Sequence, residues 1–203
     1  MIQFIRQFYH SIFPVKVHGR NNVVKWKQKS RNVRIDINGN NNTLIIEKAA
    51  TLTNLRISID GDNNTLIIGR NCRIYGPCYI GIENGANVTI GESTGLRGVT
   101  ILAKGAPITI GANCMTSYEV IIRNHDSHSI RSVDSDEILN EPKGIIIRDN
   151  VWIAQRVTIL KGTTVGSNSV IGFGSIVTKD IVNNSIATGI PAKVVKLGIK
   201  WEK

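Results

Sequence analysis

This sequence predicts an all-β chain wound as a parallel β-helix solenoid, and three observations predict it. From Ile147 onward, β-branched residues fall six apart without a slip: Ile147, Ile153, Ile159, Val165, Ile171 and Val177. A second row of small or β-branched residues follows each by four: Val151, Val157, Thr163, Ser169 and Ser175. Upstream, the phrase Gly39-Asn40-Asn41-Asn42-Thr43-Leu44-Ile45-Ile46 returns as Gly61-Asp62-Asn63-Asn64-Thr65-Leu66-Ile67-Ile68. A helix repeats its apolar face every 3.6 residues and a strand every two, so neither gives six. A triangular coil does: each hexad makes one short flat side and a corner, and three hexads close a turn. A fixed short period of this kind signals a solenoid whose turns bury their faces only against their neighbours. Ile147 then stacks under Val165, Ile153 under Ile171 and Ile159 under Val177. Gly162, Gly166, Gly172 and Asn168 fall at corners, where they accept backbone angles that other residues resist.

The elements follow in chain order. Residues 1–17 place Ile2, Ile5, Phe8, Tyr9, Ile12 and Phe13 on a helix-like stripe. They are expected to form a short N-terminal helix capping the open end of the coil. The sharper reading of the same stripe is an interfacial helix giving peripheral membrane association. Residues 18–190 form the solenoid. Its looser turns start at Gly19, Gly39, Gly61, Gly85 and Gly105, which lie 20, 22, 24 and 20 apart. Each therefore carries a small extra loop or bulge beyond three hexads. Stacked Asn residues at equivalent corners are expected to form hydrogen-bonded ladders. Residues 123–144 interrupt the period as a projecting loop, and 191–203 form a C-terminal tail.

Composition narrows the function. Aromatics are scarce at 5% and glycines number 19, as a narrow coil requires. No apolar run is long enough to span a bilayer. The start lacks the apolar core and cleavage site of a secretory signal, so a cytoplasmic location, extending to the inner membrane surface, is expected. Cys72, Cys78 and Cys114 are odd in number and lack metal-ligand spacing. Cys72 and Cys78, one hexad apart, are read as small buried residues at equivalent coil positions, and no metal is expected. The net charge of +10 is concentrated at one end: residues 1–34 hold eight Lys and Arg and no acid. No nucleic-acid-binding motif accompanies that excess, so nucleic acid is set aside. An anionic polysaccharide, anionic lipid or phosphorylated cofactor fits it.

The loop RNHDSHSIRSVDSDEILNEPKG holds two of the four histidines, His125 and His128, beside Asp126. Long loops in compact repeat domains are usually functional or disordered. A neutral imidazole takes a proton from a hydroxyl as that hydroxyl attacks a carbonyl. Ser127 and Ser129 adjoin the histidines without a nucleophile-elbow motif. HDSH lacks the helical HExxH pattern of a zinc site.

The hexads, the His-bearing loop and the segment GIIIRDNVWIAQRVTILKGTTVGSNSVIGFGSIVTKDIVNNSIATGIPAKVVK together resemble the left-handed parallel β-helix acyltransferases of the hexapeptide-repeat family. Over residues 110–197 the resemblance is to sugar O-acetyltransferases, with DSHSI nearest the surface-polysaccharide branch. The resemblance implies a homotrimer with sites between subunits and acetyl-CoA as co-substrate, lying along the groove between coils. It implies a catalytic His about two dozen residues before the Trp of a VWIG motif. Trp152 minus 24 is His128, the expected general base, with His125 as runner-up. Trp152, Asp126 and Arg123 would line the acceptor site, and Asp126 or Glu119 would hold the imidazole tautomer. Ala154 stands where that motif has Gly, and its backbone N–H would bind the thioester oxygen. Gly172, Gly174 and Ser175 would lie along pantetheine. Pro191, with Ile190 where Asn is common, and Lys193 match the turn that meets CoA phosphates. The implied activity is acetyl transfer to a sugar hydroxyl of a surface polysaccharide or its precursor. N-acetylation of an amino sugar or antibiotic, and a non-enzymatic β-helical scaffold, are the alternatives. A γ-class carbonic anhydrase would need further histidines on the coil, but His10 and His18 lie far from the loop.

Overall fold

A computed structural model describes residues 15–27 and 30–202. The expected N-terminal helix lies outside the described residues, apart from its last three positions. Those belong to a strand, Val15–His18, which pairs in parallel with Ile35–Asn38, so the coil starts before residue 18.

Every described element is a strand, and the ladders are parallel except the last. The chain winds as a left-handed β-helix with three faces. The first face stacks seven strands, from Val23–Lys25 through Thr43–Ile46, Thr65–Ile68, Asn87–Ile90, Ile108–Ile110 and Ile145–Ile147 to Thr164–Val165. The second face includes Gly95–Arg97, Met115–Thr116, Trp152–Ile153, Val170–Ile171 and Ser185–Gly189. The third includes Val99–Lys104, Val120–Arg123, Thr158–Leu160 and Ile176–Val177. In the early turns the long strands Ser30–Asn38, Thr51–Asp60 and Arg73–Glu83 run round the corner between the second and third faces.

The stacking matches the hexads. Ile147 sits on Val165, Ile153 on Ile171 and Ile159 on Val177, all without solvent exposure. Each buried aliphatic contributes about 1.5–3 kcal/mol of transfer free energy, and the stacks from the three faces meet in one continuous core. Turns shorten along the coil. Thr43 pairs with Thr65, 22 residues on; Ile146 with Thr164, 18 on; Val170 with Ile186, 16 on. The extra residues of the early turns are absorbed by the long strands and by a bulge between Thr53 and Leu55. The phrase starts at Gly61 and Gly85 imply a 24-residue step, but the ladder there steps by 22, Thr65 to Asn87.

Corners carry the polar work. Asn22, Asn42 and Asn64 form a ladder in which each carboxamide oxygen accepts the next turn's N–H, at 2.9–3.0 Å, ending on Ala86. A second ladder runs Asn150 to Asn168 to Asn184 at 3.0 and 2.9 Å. Asn42 and Asn64 are fully buried, where polar groups must be paired, and the first ladder pairs them. The second hexad row turns inward at the corners, where Thr163, Ser169 and Ser175 donate their hydroxyls to backbone carbonyls at 2.6–2.9 Å. Two kinds of glycine serve the corners. Gly162 has a φ of +73°, whereas Gly166 has an ordinary φ but no room, since a Cβ there would meet Asn183 at 2.5 Å. All three cysteines are buried. The corner that holds Cys72 stacks Thr94 and then Cys114, so the coil equivalent of Cys72 is Cys114, two turns on, and not Cys78.

Candidate active site

The chain leaves the third face at Arg123 and rejoins the first at Ile145, so the loop projects from the corner between those faces. Asn124 closes the corner beneath it. That residue is fully buried, donates to Ala106 O at 2.7 Å and accepts from Lys104 N at 2.8 Å. At the other end, Lys143 N donates to Asn124 O at 3.2 Å, which pinches the loop shut at its base.

Within the loop the HDSH segment is tied from three sides. Arg123 donates through Nε to His125 O at 2.7 Å and through its terminal nitrogen to Ser127 Oγ at 2.5 Å. Asn140 donates to Asp126 Oδ2 at 3.0 Å and to His128 O at 2.8 Å, and accepts from Ile130 N at 2.6 Å. Lys161, on the coil wall, pairs with the Asp126 carboxylate and donates to Asn140 O at 2.8 Å. The Lys161 ammonium, with help from Asn140, holds the Asp126 carboxyl below the usual carboxylate range. Asn140 and Lys161 escaped the sequence reading because neither belongs to a periodic position or a motif.

These ties surround a 230 Å³ cleft lined by His125, His128, Asn84, Lys104, Asn140 and Glu141, among others. Burial, reinforced by the Arg123 guanidinium, lowers the His125 imidazole below its ordinary value, against the opposing pull of Glu83. Its Nδ1 accepts the Ser127 N–H at 3.1 Å. The neutral ring therefore carries its proton on Nε2 and presents a donor there. His128 is exposed, and among the described residues neither ring nitrogen has a hydrogen-bond partner.

Several expectations need correcting. Asp126 does not hold either imidazole; its carboxylate is committed to Lys161 and Asn140. Arg123 clamps the loop backbone. Glu119 is engaged by Arg156 Nε at 2.9 Å and Gln155 at 3.0 Å, at the opposite end of the strand that leads into the loop. Trp152 lies on the second face, 38% exposed, and the cleft does not include it. In a three-faced coil the loop's corner is opposite the second face, so one chain does not bring His128 and Trp152 together. Trp152 instead borders a separate groove of 510 Å³. The C-terminal tail is built into this face. Ala192–Leu197 pairs antiparallel with Ser185–Gly189, and Trp201 then folds back. Its indole N–H donates to Asn150 O at 2.7 Å, and its ring lies 6.1 Å from that of Trp152 at 45°.

Residues 144–179 match the family described as bacterial transferase hexapeptide, six repeats. The chain is 31% identical over 156 residues to a putative lipopolysaccharide biosynthesis O-acetyl transferase WbbJ of Escherichia coli K12, covering 63% of this chain and 80% of that one. The chain belongs to the hexapeptide-repeat transferases. It is 39% identical over 135 residues to the polysialic acid O-acetyltransferase of Escherichia coli O1:K1, covering 66% of this chain but only 43% of that relative. Its fold matches the crystal structure of the polySia-specific acetyltransferase NeuO with a TM-score of 0.89 and 39% identity, over 94% of this chain and 89% of the other.

The remaining positions expected from a hexapeptide-repeat transferase lie beyond Trp152, toward the C-terminal end of the coil. The Ala154 N–H is not free for a thioester oxygen, because it donates to Ile171 O at 2.9 Å. Gly172 and Gly174 likewise spend their N–H groups on Ala187 O and Gln155 O. A parallel ladder uses these donors to join turns, which motif matching does not reveal. Ser175 is buried, its hydroxyl turned inward to Gly172 O and Gly189 N, so it shapes the corner instead of meeting a ligand. A Cβ on Gly174 would meet nothing within 4 Å, which leaves open surface there. Pro191 follows a cis peptide bond and is exposed, as is Lys193, which has no acidic partner among the described residues. No helix among the described residues is long and apolar enough to cross a membrane. No group of three or more His, Cys, Asp or Glu side chains among them is arranged to hold a metal ion.

Proposed function

We propose that this chain transfers an acetyl group from acetyl-CoA to a sugar hydroxyl of a surface polysaccharide or its precursor. The observation that carries the reading is the pairing of a histidine-lined cleft with a tryptophan-faced groove on a hexapeptide-repeat coil. The relatives named above are sugar O-acetyltransferases, which supports the same chemistry here. Because cleft and groove lie on opposite sides of one coil, a homotrimer joins them: the loop corner of one subunit faces the second face of the next.

In that site His128 is the general base. Its unpartnered imidazole takes the proton of the acceptor hydroxyl while the hydroxyl oxygen bonds to the thioester carbonyl carbon. The carbon–sulfur bond breaks, and the proton passes to the departing thiolate. His125, whose Nδ1 accepts from Ser127 and whose proton is on Nε2, would donate a hydrogen bond to the charge that develops on the carbonyl oxygen. A donor aimed at developing charge in a shielded site is among the strongest contributions an enzyme makes. Gly174, Pro191 and Lys193 would flank the donor, with Lys193 as a point charge for its phosphates. The test is thiol release from acetyl-CoA over a panel of sugars. His128→Ala should lose about 10²–10⁴-fold in turnover, the range of a general base. Undiminished turnover in His128→Ala, with loss in His125→Ala, would reverse the two roles. No turnover on any acceptor would remove the reading.

A further inference from the structure

The groove beside Trp152 has a composition that acetyl transfer to a neutral sugar does not require. Along the outer surface of the second face the ladder runs Thr51, Arg73, Gly95, Met115, Trp152. Gly95 lacks a side chain, and a Cβ built there would meet nothing within 4 Å. The missing side chain opens a hollow in an otherwise continuous wall. Arg73, Tyr75 and Arg97 stand on its N-terminal side, and Met115 and Trp152 on the other.

The charge in this hollow is of one sign. Arg73 and Arg97 line it, and no Asp or Glu does. Neither arginine forms an ion pair among the described residues, whereas nearby Arg70 is paired with Glu92 at 2.8 Å. Arg97 is also held in place. Its guanidinium hydrogen-bonds the Tyr75 hydroxyl and lies 4.7 Å from the Tyr75 ring centre and 5.5 Å from that of Tyr118. A planar cation pinned between two aromatic rings keeps its fork geometry for a carboxylate or phosphate and loses little entropy on binding one. Strands in a ladder are about 4.8 Å apart, so the three steps from Arg73 to Trp152 span about 14 Å.

Two anionic groups fit this chemistry: a carboxylate on the acceptor or a phosphate of CoA. Position separates them. The residues proposed for the donor, Gly174, Pro191 and Lys193, lie on the C-terminal side of Trp152, whereas the hollow lies on the N-terminal side. We propose that the Arg73–Arg97 hollow is an acceptor subsite that binds the carboxylates of an acidic sugar polymer and feeds its chain toward Trp152. This rests on the acetyl-transfer reading for its direction but not for its binding chemistry. It also moves the cationic recognition expected from the N-terminal charge excess onto the wall of the coil.

Equilibrium binding tests it without turnover. The full-length protein is titrated into an end-labelled polysialic acid oligomer, with uncharged maltoheptaose as the control, and anisotropy is read. The wild type should bind the acidic oligomer with an affinity that falls as salt rises, and should prefer it to maltoheptaose. The double variant Arg73→Gln/Arg97→Gln should weaken that binding at least tenfold. Gly95→Phe, which fills the hollow and leaves both arginines in place, should do the same. Arg70→Gln, outside the hollow, should change it less than twofold, and acetyl-CoA affinity should stay within twofold throughout. Unchanged oligomer binding in both hollow variants would overturn the proposal. A selective loss of acetyl-CoA binding would do so too, by assigning the cations to CoA phosphates. Thiol release on a neutral sugar separates the two readings: turnover without oligomer binding defeats the subsite alone, and oligomer binding without turnover on any acceptor defeats the transfer reading alone.

Discussion

Replacing Lys161 with Met keeps the aliphatic stem and removes the cation that fastens the histidine loop to the coil. Two contacts go: the pair with Asp126 and the hydrogen bond to Asn140 O, 2.8 Å in length. The Asp126 side chain is 44% exposed, so solvent screens the pair. It is therefore assigned about 0.5–1 kcal/mol. The hydrogen bond from a charged donor adds about 1.5 kcal/mol, the low end of the range for charged groups. Together these make about 2 kcal/mol in favour of the docked loop, or roughly a thirtyfold change in its population. Thiol release at saturating acetyl-CoA should fall by up to that factor, and hydrogen exchange of the Ile130 and Leu139 amides should quicken. Thermal stability should move little, since neither contact belongs to the stacked core. Acid should reproduce the effect. The Asp126 pKa is depressed in the folded protein, so its contribution is present above the unfolded carboxylate value and is lost as pH falls through the folded one. A Lys161→Met protein with native loop exchange and native turnover would refute the assignment of Lys161 as the loop's anchor.

Four further outcomes are expected. NMR titration of His125 should give a midpoint below the ordinary imidazole value of about 6.5, and Arg123→Gln should raise it. Because the folded form resists protonation, loop stability should rise with pH across that interval; a midpoint unmoved by Arg123→Gln would count against the proposed cause. Ile153→Ala, at a fully buried position in mid-column, should cost about 2–5 kcal/mol and lower Tm by roughly 5–15 °C. Gly111→Ala should cost about 1–3 kcal/mol, since its Cβ would meet Asp149 Oδ1 at 2.3 Å and backbone at 2.7 Å. Gly95→Ala, with nothing within 4 Å, should leave thermal unfolding close to native.

The coil was legible because its physics is periodic. Ile147 to Val177 announce both the face and the stacking partner, and the Asn phrases announce the ladders. The loop was legible as the place where that period fails. What stayed hidden depends on contacts across the sequence. Lys161 reaches Asp126 from 35 positions away, and Trp201 reaches Asn150 from 51 away. The availability of a backbone N–H was hidden as well. Ala154 occupies a motif position, but whether its donor is free depends on the next turn, which had to be seen. The sequence also places His128 and Trp152 on one chain without saying that they face opposite ways.

Ile108 and Ile145 are neighbours in the first-face ladder although 37 residues separate them, whereas the next step, Ile146 to Thr164, takes 18. The ends of the excursion, Asn124 and Lys143, are already hydrogen-bonded to each other. The coil thus treats the histidine loop as a graft. Removing residues 125–142 would leave a 19-residue step, close to an ordinary turn. A corner of this kind is a splice point, where segments can be lengthened, shortened or exchanged while the stack above and below keeps its register. Loop and architecture are therefore separable in this molecule, and the segment at the rim can be exchanged without renegotiating the core.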